Sequence, residues 1–172
     1  DAANYSQHLD QLQDCDLIIE AIAEKMEWKD DLYRKIAPFI APTAIIASNT
    51  SGLSINRLSQ GLPEALRARF CGIHFFNPPR YMHLVELVAT RSTDPSLLDN
   101  LESWLVSRLG KGIVRALDAP NFVANRVGVF SMLAVMHHTQ RLGLGFDVVD
   151  SLTGPIIGRP KSATYRTADV VG

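Results

Sequence analysis

The sequence predicts an α/β protein: part of a doubly wound parallel sheet with its helices, followed by the start of an all-helical piece. Short runs dense in apolar and β-branched residues alternate with helical periodicity as far as residue 117. A strand, a helix and a strand fit within residues 15–48, the spacing of a βαβ unit with its right-handed crossover. From residue 121 the texture changes to one long, mostly apolar helical stretch. The 172 residues, 47% apolar and 20% charged, belong to an ordinary globular chain, which excludes a disordered tail or a fibrous repeat. Seventeen Lys and Arg against 18 Asp and Glu leave a formal charge of −1, no electrostatic footprint for nucleic acid or an anionic membrane. No run approaches the roughly 18 consecutive apolar residues of a membrane span.

Each element has a local reason. Residues 15–22 (CDLIIEAI) form an apolar run suited to a strand buried on both faces. Glu24 to about Ile40 is helical, with Leu32, Ile36 and Ile40 four apart and Asp30/Arg34 and Asp31/Lys35 as i,i+4 pairs. Pro42 ends it, and Thr43 to Ser48 is the second strand. Arg69 to Phe76 and His83 to Ala89 are strands separated by Asn77-Pro78-Pro79. Asp94-Pro95 opens a helix with an acidic cap and proline in its first turn. Leu97, Leu101, Trp104 and Leu105 form its expected buried stripe, and Gly110 stops it. Gly112 to Leu117 is a last strand, and a domain boundary is expected at residue 118, giving 1–118 and 119–172. A helix over about 121–142, a short one near Asp147–Leu152 and a Gly/Pro/cationic tail follow. Cys15 and Cys71 lie in apolar contexts without metal or disulfide spacing and are expected to be buried free thiols.

The chemistry lies in strings at the ends of these strands. A dinucleotide-binding domain usually opens with G-x-G-x-x-G after its first strand, and no such loop occurs in the 172 residues. Ala47-Ser48-Asn49-Thr50-Ser51 ends the second strand, where ligands bind in open parallel sheets. His74-Phe75-Phe76-Asn77-Pro78 ends the third, Met82-His83-Leu84-Val85-Glu86 follows, and Asn121-Phe122-Val123-Ala124-Asn125-Arg126 comes later. In this order, over residues 16–172, these strings resemble the 3-hydroxyacyl-CoA dehydrogenase family. The resemblance implies a Rossmann-like NAD-binding domain, an acyl-CoA substrate, and oxidation of L-3-hydroxyacyl-CoA to 3-oxoacyl-CoA in fatty-acid β-oxidation. It also implies a homodimer or a part of a larger multifunctional chain, working in the cytoplasm of a bacterium, or in the mitochondrion or peroxisome if the source is eukaryotic.

Oxidising a secondary alcohol requires a base for the hydroxyl proton, and histidine, with a free pKa of about 6.5, suits this work. If the strands around Asn77–Met82 pair antiparallel, residues whose numbers sum to 160 face each other, and His74 with Glu86 is such a pair. His74 is the expected base and Glu86 the residue that orients it. The resemblance implies that Ser51 bonds the reacting oxygen beside the cofactor's ribose and that Asn125 holds the substrate's thioester carbonyl. It implies that Asn49 and Asn77 bind the cofactor, Asn77 near the nicotinamide, and that Glu24 and Lys29 lie near the ribose and phosphates. No metal site is expected, and Arg159 and Lys161 are expected to be solvated loop cations. Gly52 stands where the family often has a second serine, and Pro79-Arg80-Tyr81 is bulkier than the family's usual link.

Two other readings stay open from the residues alone: a dehydrogenase of a different 3-hydroxy acid, or an inactive scaffold that dimerises through the 121–142 helix. The chain opens on Asp1 without a charged-then-apolar leader and reads as a piece of something longer. Without the glycine loop, these residues alone are expected to bind NAD only above about 1 mM and to be inactive.

Overall fold

A computed structural model describes Asn4 and residues 7–171, which divide into two compact units, Asp1–Val123 and Ala124–Gly172. The first holds five strands, β1 (Leu17–Glu20), β2 (Ile45–Ser48), β3 (Phe70–Phe75), β4 (Leu84–Ala89) and β5 (Gly112–Ala116), paired in that order. β1–β2, β2–β3 and β4–β5 run parallel, and β3–β4 is the antiparallel pair. The helices of this unit are α1 (Met26–Ile36), α2 (Ile55–Gln60), α3 (Glu64–Arg67) and α4 (Pro95–Leu109).

Strand side chains alternate between faces, and both faces of this sheet are covered. Ile46, Phe70 and Val88 pack with Tyr33 and Ile36 of α1, Ile55 and Leu58 of α2, and Leu66 of α3. Ala47, Cys71, Ile73, Val85 and Leu87 point the other way, onto Leu97, Leu98, Leu101 and Leu105 of α4. Continuous apolar strands are the result. Gly72 is required where α2 crosses β3, since a Cβ there would stand 2.9 Å from the Ile55 side chain.

Several expectations are corrected. Trp104 is 43% exposed, and Leu98 takes its place in the stripe that α4 buries. The helix after β5 starts at Ala124 and not at 121, because Asn121 (φ 61°) and Phe122 (φ 48°) are left-handed and cannot continue a helix. Those residues return to the sheet, where Phe122 enters the core. α2 and α3 lie in a stretch for which the sequence predicts no helix. Asp30 lies against Gly61, so Arg34 pairs instead with Asp31. Cys71 is fully buried, its thiol pushed up to about 12 by burial, while Cys15 is only half-buried and donates to the Gln11 carbonyl.

The second unit consists of α5 (Ala124–Leu142), α6 (Phe146–Thr153) and α7 (Tyr165–Val171), with a single turn at Pro155–Ile157. The expected tail therefore contains a helix. Asp150 of α6 starts it by accepting from the N–H groups of Thr164 (3.1 Å), Tyr165 (2.7 Å) and Arg166 (3.2 Å), and Phe146 stacks on Tyr165. Among the described residues no helix is long and apolar enough to cross a membrane.

Asp118 ties the segment after β5 to the start of α2. It accepts from the N–H groups of Ile55 (2.9 Å) and Asn56 (2.9 Å), the Ser54 hydroxyl (2.8 Å) and the Asn56 amide (2.7 Å). Burial pushes its carboxyl up, but these four bonds outweigh burial and hold it below the usual carboxylate range. A lowered folded value means stability present above the unfolded value of about 3.9 and lost as pH falls through the folded one. Asp118→Asn is expected to cost about 1 kcal/mol at pH 7 and progressively less towards pH 2, read from urea midpoints. An equal cost at both pH values would contradict this account.

Candidate active site

The β3–β4 register places Cys71 opposite Ala89, Gly72 opposite Val88, Ile73 opposite Leu87, His74 opposite Glu86 and Phe75 opposite Val85. His74 and Glu86 are both buried, and the imidazole Nδ1 lies 2.8 Å from Glu86 Oε2. The other oxygen, Oε1, accepts from the Val123 N–H at 2.9 Å. Phe76 (centroids 4.5 Å) and Phe122 (5.6 Å) flank the imidazole. Ring position, tilt and one nitrogen are thereby set by this chain. Among the described residues no group bonds the second nitrogen, Nε2, which remains for a ligand.

The carboxyl ends of the parallel strands gather the other residues. Asn49, just past β2, donates its N–H to the Glu20 carbonyl (2.8 Å) and accepts from the Phe75 N–H through Oδ1 (2.9 Å), locking the end of β3 beside His74. Glu24, after β1, reaches across to the loop after β2: its Oε1 accepts from the Thr50 hydroxyl and from the N–H groups of Ser51 (2.9 Å) and Gly52 (3.0 Å). Burial raises the Glu24 carboxyl, but these bonds and the Lys29 charge prevail and hold it low. Ser51 is exposed and its hydroxyl bonds nothing among the described residues; Ser54, not Ser51, caps α2. Asn77 is exposed at the end of β3, preceding a cis Pro78.

Lys29 departs from expectation. It is 1% exposed and is held by Glu20, so it does not face solvent as a phosphate ligand would. Asn125 is half-buried on α5 of the second unit. Arg159 is half-buried and bonds the Ser131 hydroxyl, while Lys161 is exposed. His83, His137 and His138 are exposed. Among the described residues no three His, Cys, Asp or Glu side chains cluster as metal ligands.

The sequence reading missed the buried polar set behind this site: Glu20, Tyr33 and Ser48, with Lys29 among them. Glu20 accepts from Lys29 (2.6 Å), Ser48 (2.7 Å) and Tyr33 (3.1 Å). Burial, then the Glu20 charge, pushes the Tyr33 hydroxyl up, so it stays a neutral donor. The signal was present: a lone acid closing the apolar run Leu17-Ile18-Ile19.

A buried His–carboxylate pair, an exposed serine and an exposed asparagine thus lie near the strand ends of this α/β sheet, where ligands bind in open parallel sheets. A family model described as the 3-hydroxyacyl-CoA dehydrogenase NAD-binding domain matches residues 1–119, and the chain belongs to that family. It is 45% identical over 172 residues, all of this chain and 50% of the relative, to a probable 3-hydroxyacyl-CoA dehydrogenase of Deinococcus radiodurans. It is 40% identical over 169 residues, 98% of this chain and 24% of the relative, to a putative fatty acid oxidation complex trifunctional enzyme of Rickettsia prowazekii. The solved structure of M. tuberculosis FadB2 superposes with a TM-score of 0.85 at 31% identity, covering 95% of this chain and 57% of that one. The chain thus spans about half the length of the first of these relatives.

NAD is the cofactor that the matched domain is named for. The residues at the strand ends suit its nicotinamide end: an exposed serine hydroxyl at Ser51 and an exposed amide at Asn77. Since Glu86 accepts at Nδ1, a neutral His74 is expected to carry its proton there and leave Nε2 as the acceptor. Long-range ¹H–¹⁵N correlation of the imidazole reads the tautomer directly. A proton on Nε2 of the neutral ring would contradict this geometry.

Proposed function

We propose that the protein oxidises the C3 hydroxyl of an L-3-hydroxyacyl-CoA to the 3-oxo compound. The observation that carries this is the buried His74–Glu86 contact at 2.8 Å with Nε2 left unbonded. Family membership and the trifunctional relative support the substrate class and a place in a larger multifunctional chain. In this reading His74 Nε2 takes the hydroxyl proton as the C3–H bond gives up its hydride. NAD, when bound, supplies the hydride acceptor. Glu86 holds the Nδ1–H and stabilises the imidazolium that forms. Ser51 donates to the reacting oxygen, and Asn77 lies by the nicotinamide. Asn49 acts on the site from behind, by fixing the backbone at Phe75. Asn125 keeps the substrate-carbonyl role that the family resemblance implies.

His74→Gln in the protein as its gene encodes it is expected to lower turnover of 3-hydroxyacyl-CoA by about a hundredfold or more, with NAD affinity nearly unchanged. Turnover above about a tenth of the parent's would remove His74 from the proton step.

A further inference from the structure

Lys29 is a cation that the reaction does not use directly. Its Nζ faces three acceptors: Glu20 Oε1 at 2.6 Å, the Ile22 carbonyl at 3.2 Å and Glu24 Oε2 at 3.6 Å. Two of its three N–H groups bond Glu20 and the Ile22 carbonyl, and Glu24 Oε2 lies within ion-pair reach. Glu20 is itself immobile, because Tyr33, Ser48 and the Ile22 N–H (2.7 Å) hold its oxygens and burial leaves it no solvent. Lys29 therefore has one place to sit.

Glu24 is different. It is about half exposed, on the connection between β1 and α1, where a glutamate would ordinarily sample several rotamers. Its two oxygens divide their work: Oε2 meets Lys29, while Oε1 collects Thr50, Ser51 and Gly52. The contact to Lys29 connects the Oε2 side of this exposed carboxylate to the buried set, as Thr50, bonded to Ser48, connects the Oε1 side.

We propose that Lys29 is a positioning residue for the Ser51 loop: fixed by Glu20, it holds Glu24 Oε2 so that Oε1 stays under the Ser51 and Gly52 N–H groups. Its consequence for catalysis rests on the reading of Ser51 given above; the brace itself does not. Lys29 then contributes to cofactor binding by holding the loop.

Lys29→Met alone strands a buried carboxylate and can unfold the protein. The Glu20→Gln/Lys29→Met pair removes both charges at similar volume and leaves Tyr33 and Ser48 an acceptor. Should that pair fail to fold, Glu20→Gln with Lys29→Gln keeps a polar contact and is read the same way. Amide exchange by NMR, on the protein as its gene encodes it and without cofactor, follows Ser51 and Gly52. The Phe75 N–H, held by Asn49, serves as the local reference. Exchange at Ser51 and Gly52 is expected to quicken by about tenfold or more, with Phe75 within about twofold. Protection at Ser51 and Gly52 within about twofold of the parent overturns the brace, and so does an equal loss at all three amides. Calorimetric titration with NAD separates the two readings. Lost protection with weaker NAD binding supports both; lost protection with unchanged NAD affinity supports the brace and contradicts the cofactor role of Ser51.

Discussion

The antiparallel register between β3 and β4 is the constraint on which the site depends. One residue of slip would send Glu86 to the opposite face of the sheet, against α4, and leave His74 facing Val85 or Leu87. The register is secured on both faces. Ile73, Val85 and Leu87 are locked into the α4 layer, and Gly72 lets α2 close down on the other side. The pair that carries the chemistry is therefore held by packing on residues that do no chemistry.

Two buried carboxylates, Glu86 and Glu20, close the ends of this arrangement, and each is intelligible only with its partners. Breaking a buried pair by removing one member typically costs about 3–5 kcal/mol, which makes such groups expensive unless fully bonded. Glu86 is bonded by His74 and by the Val123 N–H, so the chain after β5 is recruited to finish the site. Glu20 is bonded by Lys29, Tyr33, Ser48 and Ile22, which joins α1 to the ends of β1 and β2. The left-handed residues Asn121 and Phe122 have a purpose in this light: they turn the backbone so that Phe122 packs on His74 and Val123 bonds Glu86.

Much of this was legible in the sequence because it is local. Five strands follow from apolar runs, the start of α4 from Asp94-Pro95, and its stop from Gly110, which is left-handed at φ 63°. The His74–Glu86 pairing followed from counting across one short connection. The rest is not local. Lys29 is implied by the resemblance to lie near the cofactor's ribose and phosphates, and only Glu20, nine residues back on another element, draws it inward. Trp104 fits the helical period, but between buried Leu101 and Leu105 it lies to the side of the stripe, by Cys15, Leu17 and Ile45, where periodicity does not mark the edge of the buried face. α2 and α3 are too short to show a period, and Asp118, which joins α2 to the chain after β5, is more than 60 residues away from it in sequence.

If Glu86 acts only through the imidazole, the two residues form one unit and their removals cannot add. The direct test is a double-mutant cycle of His74→Gln and Glu86→Gln on turnover, in the protein as its gene encodes it, with each variant's fold checked by circular dichroism. The double variant is expected to be no worse than His74→Gln alone, within about twofold. Losses that multiply across the two positions would mean that His74 and Glu86 act independently, and would contradict the account of the site as a buried base with its orienting carboxylate.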